Sequence, residues 1–204
     1  NSWGQAQVAF LFMIDFEMSD PRIFKTGDIA FDRILYFING ITNAERKPIM
    51  GSSSFRAIQA PFSDYERKFK KVRDHLEYGD TFLTNLTIST EIILDQPLRN
   101  IFFQSDAKYK LLVEDNFLVF SPETFVKITN GKIFSYPMKG TIDASIPDAK
   151  QNILLDKKEL AEHVTIVDLI RNDLSQVASN VSVNRFRYVE EVRTRSKNLF
   201  QVSS

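Results

Sequence analysis

Apolar residues follow two rhythms along this chain. Residues 7–16, "QVAFLFMIDF", are a nearly continuous apolar and aromatic run and predict a buried strand. "RIF" at 22–24 and "RILYFING" at 33–40 predict further strands, the second ending at Asn39-Gly40. The mixed, polar stretch 43–60 reads as a loop. The rhythm then changes. In "PFSDYERKFKKVRDHLEYGD", Tyr65, Phe69, Val72 and Leu76 recur at i, i+4, i+7 and i+11, one apolar stripe of a helix. Ser63 and Glu66 have capping-box spacing at its start, and Gly79 supplies a C-terminal stop. "TFLTNLTIST" at 81–90 predicts a strand, and 99–141 an antiparallel meander. Within the meander, "KYKLLVE" and "FLVFS" flank Asp115-Asn116, and "FVKIT" and "KIFSY" flank Asn130-Gly131, a strong hairpin signal. Residues 142–155 read as a polar connection. A second helix is predicted over 156–178, with Asp156 and Glu159 as an acidic cap. Leu160, Val164, Val167 and Leu174 lie along one side of it, broadened by Ile166 and Ile170. "VSVNRFRYVEEVRT" at 181–194 closes the pattern as a strand or strand pair. Strands and helices are segregated rather than alternating, which predicts an α+β fold with mostly antiparallel sheet.

Composition narrows the function classes. The 204 residues carry 26 basic and 26 acidic side chains, so the formal net charge is zero. That balance argues against a nucleic-acid-binding surface or a polybasic membrane patch. The local cluster Arg67, Lys68, Lys70, Lys71 and Arg73 reads as a solvated helix face. The absence of cysteine excludes disulfides, thiolate catalysis and a Cys-based zinc site. No apolar run reaches the roughly 20 residues that span a bilayer, and no charged leader precedes an apolar stretch. A cytoplasmic protein with neither nucleic-acid nor membrane partners is the expectation. Eighteen phenylalanines and 43% apolar residues are ample for a core.

Candidate chemistry centres on Lys139, Glu123 and Glu162. Lys139 follows "SYPM" at the end of an apolar run and precedes Gly140-Thr141. Taken alone it is either a solvated strand end or a nucleophile or anion clamp. Gly140 would let a ligand approach the backbone closely. Glu123 sits in "SPET" between two strands, the usual place for an exposed turn carboxylate. Glu159 and Glu162 are three apart on the second helix, a spacing that can hold Mg²⁺ or serve only as an acidic face. Asp168 and Arg171 could simply pair, with Asp173 nearby. His75 and His163 are too isolated to suggest a metal site, and no Gly-rich phosphate loop is present.

Together, "GDTFLTNLT", "FSPETFVKI", "YPMKGTI" and "KKELAEHVTIVDLIRNDL" resemble, in order, the motifs of the chorismate-utilising enzymes over residues 61–204. That family includes the large subunits of anthranilate and aminodeoxychorismate synthases and the isochorismate and salicylate synthases. In its "P-x-x-G-T" motif the residue before Gly-Thr is typically alanine in anthranilate synthases and lysine in the aminodeoxychorismate branch; here it is Lys139. The resemblance implies a layered sandwich of two facing antiparallel sheets with outer helices. It implies amination of chorismate at C4 with ammonia from a glutamine amidotransferase partner, on the route to p-aminobenzoate and folate. Lys139 would attack C2, Glu123 would assist departure of the C4 hydroxyl, Gly140 and Thr141 would line the site, and Glu162 would ligate Mg²⁺. Alternatives are an anthranilate or isochorismate-type synthase, or a non-catalytic partner-binding fragment. The sequence departs from the family where a His-Leu-x-Ser segment is usual: here stands "LFQVSS", with Phe200 at the histidine position. Family members also continue with a G-S-x-T-G-x-P-K segment and an E-x-x-x-R-G motif. Residues 1–204 are therefore expected to be the N-terminal part of one catalytic domain, with little synthase activity alone.

Overall fold

Tight turns with the residues they demand organise the strands. The structure, a computed structural model, describes residues 2–45, 53–194 and 197–204. After one helical turn, α1 (Ser2–Gln5), the strands β1 (Phe10–Met13) and β2 (Arg22–Lys25) pair antiparallel. The apolar run 7–16 is thus strand only at its centre. β3 (Ile34–Ile38) folds back onto β4 (Ile41–Thr42) through Asn39 and Gly40, both at positive φ, as a two-residue hairpin turn requires.

The stretch expected to be a loop contains β5 (Phe55–Ile58); its residues 46–52 lie outside the described ones. After β5 comes α2 (Phe62–Tyr78). Ser63 and Glu66 do not form the expected capping box: the N-cap is Pro61, whose carbonyl accepts the Asp64 and Tyr65 amides, and Ser63 lies inside the helix. Glu66 instead pairs with Lys70 at 3.0 Å. Gly79 does end the helix, in the left-handed conformation at φ 94°. The stripe is present, but Tyr65 and Phe69 are exposed and no residue of α2 is buried. Residues 81–90 form no ladder; the strand is the next four residues, β6 (Glu91–Leu94), which pairs with β5.

Pro97 starts a helix where a strand of the meander was expected, α3 (Leu98–Gln104). Arg99 ties it down by hydrogen bonds to Glu114 and to the Phe31 carbonyl. β7 (Tyr109–Val113) and β8 (Phe117–Ser121) flank Asp115-Asn116 as predicted, and a four-stranded sheet runs β4-β3-β7-β8. The hairpin β9 (Lys127–Thr129) and β10 (Lys132–Phe134) turns at Asn130-Gly131, also as predicted. β11 (Met138–Asp143) does not extend that meander but joins another sheet. The supposed polar connection holds α4 (Ala149–Leu155), and α5 (Lys157–Ser175) follows. β12 (Tyr188–Val192) and β13 (Leu199–Ser203) complete a three-stranded sheet in the order β11-β13-β12, antiparallel throughout. The fold is α+β, and every strand pair with a defined register is antiparallel, as expected.

The chain divides into two units, and its crossings between them fall inside β3, β7 and β8 and in the connections after Asn43 and Asp106. Among the described residues, the first unit buries Leu11, Ile34, Leu35, Phe102, Leu112 and Val113. The second, which includes Val119–Ser204, buries Tyr36, Ala149, Ile153 and Val202 together with two polar residues, His163 and Ser203. Ala149 and Ile153 are four apart, so α4 presents one small apolar face to this core. Ile153→Ala should therefore cost about 2–4 kcal/mol in stability. Urea unfolding followed by circular dichroism measures this, and a neutral result would mean that α4 does not dock in solution.

Candidate functional site

The site begins with an irregularity in β11. Met138 pairs with Ser203 and Thr141 with Gln201, so three steps on β11 match two on β13. One extra residue is accommodated at Lys139-Gly140, opposite buried Val202. Gly140 takes φ 91°, a conformation that strains any side-chain-bearing residue. A bulge of this kind re-aims side chains, and here the Lys139 ammonium reaches α5.

The α5 end that receives it is built from its cap. Asp156 accepts the Glu159 amide at 3.0 Å, which realises the acidic cap predicted from sequence. Glu159 and Glu162 follow in the first two turns, where the helix dipole favours carboxylates. Glu162 Oε2 lies 3.0 Å from Lys139 Nζ, and its Oε1 lies 3.6 Å from Lys158 Nζ. The hydrogen bond from Lys139 chiefly holds the Glu162 carboxyl below its ordinary range. A Cβ on Gly140 would stand 2.8 Å from Glu159 Oε2. The open space expected above Gly140 is thus covered by a flexible carboxylate.

Beneath the bulge lies His163, wholly buried. Its Nε2 is 2.6 Å from Ser204 Oγ, its ring meets Phe186 edge-on, and burial pushes its pKa down. Ser204 Oγ accepts the Arg187 amide at 3.0 Å, and the Ser204 amide donates to the Pro137 carbonyl. Arg187, itself at positive φ, donates its guanidinium to the Ile153 and Leu154 carbonyls at the end of α4. His163 and Arg187 did not emerge from the sequence as functional residues. The signal for His163 was its place four residues after Glu159, but apolar Leu160 and Val164 drew the stripe one residue out of phase. Those two are exposed, and the inward face carries His163, Ile166, Val167 and Ile170.

The other predicted residues stand apart. Glu123 is exposed between β8 and β9; its amide donates to Ser121 Oγ, and no hydrogen bond or ion pair among the described residues links its carboxylate to Lys139 or Glu162. Thr141 is exposed, paired with Gln201. Asp168 and Arg171 do simply pair, at 2.7 Å. An open groove of about 1170 Å³ runs between the β9–β10 hairpin, the second half of α5 and β12. Tyr136, Pro137 and Ser204 line it, but Lys139 and Glu162 do not. As for Mg²⁺, no group of three or more His, Asp or Glu gathers among the described residues. Each oxygen of Glu162 already faces an ammonium group. The arrangement is an ion-pair cluster and does not, as it stands, fit a cation site.

The family model for "chorismate binding enzyme" matches residues 38–204. An "Uncharacterized PabA-like protein" of Haemophilus influenzae is 43% identical over 204 residues, which is 100% of this chain and 62% of that protein. A similarly described protein of Pasteurella multocida is 42% identical over 206 residues, covering 100% of this chain and 64% of its own length. "Aminodeoxychorismate synthase component 1" of Escherichia coli is 32% identical over 132 residues, 58% of this chain and 29% of that one. The chain thus spans a little under two thirds of the first two relatives. Among the described residues no helix is long and apolar enough to cross a membrane.

The far end of β11 carries a measurable charge effect. The Lys197 ammonium, together with the Ser145 amide and hydroxyl, holds Asp143 at about 2 against an ordinary 3.8. The folded carboxyl binds its proton less readily than the unfolded one. Its contribution is therefore fully present above the unfolded value and is lost as pH falls through 3.8 towards 2. Asp143→Asn should flatten that acid limb of stability against pH. Thermal melts across the acid range test this, and superimposable limbs would show that the Lys197 contact is absent in solution.

Proposed function

We infer that this chain, which belongs to the chorismate-binding enzyme family, supports amination of chorismate at C4 to 4-amino-4-deoxychorismate, with Lys139 as covalent nucleophile. The observation that carries this reading is the Lys139 ammonium projecting from the bulge onto Glu162. A chain that needed only a strand end there would have no reason to place a bulge under that side chain. The aminodeoxychorismate synthase names among the relatives support the same branch.

Chemically, the lysine must shed a proton before it attacks. Glu162 is a carboxylate within hydrogen-bond distance of its Nζ. The amine would form a bond to C2, the ring double bonds would shift, and the C4–O bond would break. Glu123 is assigned the proton that lets the hydroxyl leave as water; in this structure its carboxylate is free in solvent, so it would have to meet the substrate there. Ammonia then adds at C4, the double bonds shift back, and the C2–N bond to Lys139 breaks. Splitting one hard substitution into two easier ones is the gain from a covalent amine. Gly140 and Thr141, beside the lysine, would line the substrate. A glutamine amidotransferase partner would supply the ammonia. No step is assigned to Mg²⁺, because Glu162 is engaged by two lysines.

The test uses the longest native chain with chorismate and ammonium, and products separated by chromatography. Lys139→Ala should abolish C4 amination, and Glu123→Gln should slow it by roughly 100-fold or more. Full activity of the lysine variant would refute the nucleophile. Fluorescent anthranilate as the product would place the chain in the anthranilate branch instead.

A further inference from the structure

We propose that Arg187 is a positioning residue for the Lys139–Glu162 pair: its guanidinium caps the end of α4 and so fixes the one-residue corner from which α5 carries Glu162 to the bulge. The consequence for a reaction rests on the reading of Lys139 as nucleophile; the cap itself does not.

Asp156 alone separates the two helices, since α4 ends at Leu155 and α5 begins at Lys157. It serves both: its amide donates to the Asn152 carbonyl, and its carboxylate accepts the Glu159 amide. The carbonyls of Ile153 and Leu154 lie in the last turn of α4, where no intrahelical amide remains to meet them. Arg187 meets both. Its Nη2 donates to the Ile153 carbonyl at 3.0 Å, and its Nη1 to the Leu154 carbonyl at 2.9 Å. A planar fork suits two neighbouring acceptors, and a cation suits the negative end of a helix. Nε is left buried without a hydrogen-bond partner, so the guanidinium is turned to serve α4.

The backbone of Arg187 is anchored to the sheet. It takes φ 51°, a left-handed conformation that is strained for a long side chain and persists only where the surroundings hold it. Here the Arg187 amide donates to Ser204 Oγ at 3.0 Å. The Ser204 amide in turn donates to the carbonyl of Pro137, the residue before β11. Arg187 therefore joins the strand that bears Lys139 to the corner that bears α5. Two side chains carry the position of that corner to the bulge. Ile153 Cδ1 lies 3.6 Å, and Glu159 Oε2 2.8 Å, from the point that a Cβ on Gly140 would occupy. Ile153 precedes the corner and Glu159 follows it, so both arms of the corner close over Gly140. One turn further along α5, Glu162 reaches the Lys139 ammonium at 3.0 Å. If the corner moves, all three contacts move with it.

Zero-length carbodiimide cross-linking of the 204-residue chain tests the assignment without chorismate. Glu162 can be coupled to Lys139 on β11 or to Lys158 within α5, since its oxygens lie 3.0 and 3.6 Å from the two ammonium groups. The ratio of the two products, read by mass spectrometry, reports where α5 stands relative to β11 and is indifferent to the reactivity of Glu162 itself. Arg187→Met keeps much of the side chain's bulk and loses the cap, and it should shift the ratio about fivefold towards Lys158. Arg187→Lys returns a cation to the helix end and should fall between that variant and the parent. Arg185→Met removes a neighbouring guanidinium that stacks on Tyr188 instead, and should leave the ratio unchanged. An unchanged ratio in a folded Arg187→Met chain, a lysine variant no better than the methionine one, or an equal shift in Arg185→Met overturns the proposal. If the Arg187 variants do not fold, the parent chain decides. A guanidinium that donates from both Nη groups to fixed carbonyls cannot turn freely about its Nε–Cζ bond. Arg187 should therefore show separate Nη1 and Nη2 signals in ¹⁵N spectra; one averaged signal overturns the cap. Absence of C4 amination would leave both readouts standing, and their failure would leave the Lys139→Ala assay untouched.

Discussion

One extra residue in β11 governs what this part of the molecule can do. Without the bulge, β11 would keep strict alternation against β13, and Lys139 would follow the pleat. With it, the peptide at 139–140 leaves the ladder, Gly140 adopts a left-handed backbone, and a long cationic side chain reaches the first turns of α5. The helix is ready for it. Its cap fixes where α5 begins, and that start fixes the phase at which Glu159, Glu162 and His163 meet the strand.

The lysine is held by contacts of unequal kind. Its ion pair with Glu162 is about a third exposed, and pairs open to solvent contribute only about 0–1 kcal/mol and weaken with salt. The buried contacts beneath it are different. They involve neutral groups away from water, where an unmet donor or acceptor costs roughly 1–3 kcal/mol. The His163–Ser204–Arg187 contacts are therefore held more firmly than the ammonium.

Much of this was legible in the sequence because the signals were local. Asp156 three residues before Glu159, Gly79 after an apolar stripe and Asn-Gly between alternating runs each name a geometry that the chain adopts. Lys139 and Glu162 were singled out separately, and the fold brings them to 3.0 Å. What failed to show was non-local or short. α4 buries only Ala149 and Ile153, too few to set a period among polar neighbours. α3 hides in a run rich in apolar residues that suits a strand equally well. β5 is a strand only because β6 is there to pair with it. The phase of α5 was misread because hydrophobicity marks Leu160 and Val164, whereas the buried face is centred on a histidine. Patterning cannot register a polar residue as core until its partner, here Ser204, is known.

The backbone at position 139 is set by its glycine neighbour and by the register against β13, and neither needs the lysine side chain. The position therefore works as a socket. Evolution could exchange the residue plugged into it while leaving the scaffold untouched. Side chains of different length and charge could be tried there without first passing through a misfolded intermediate.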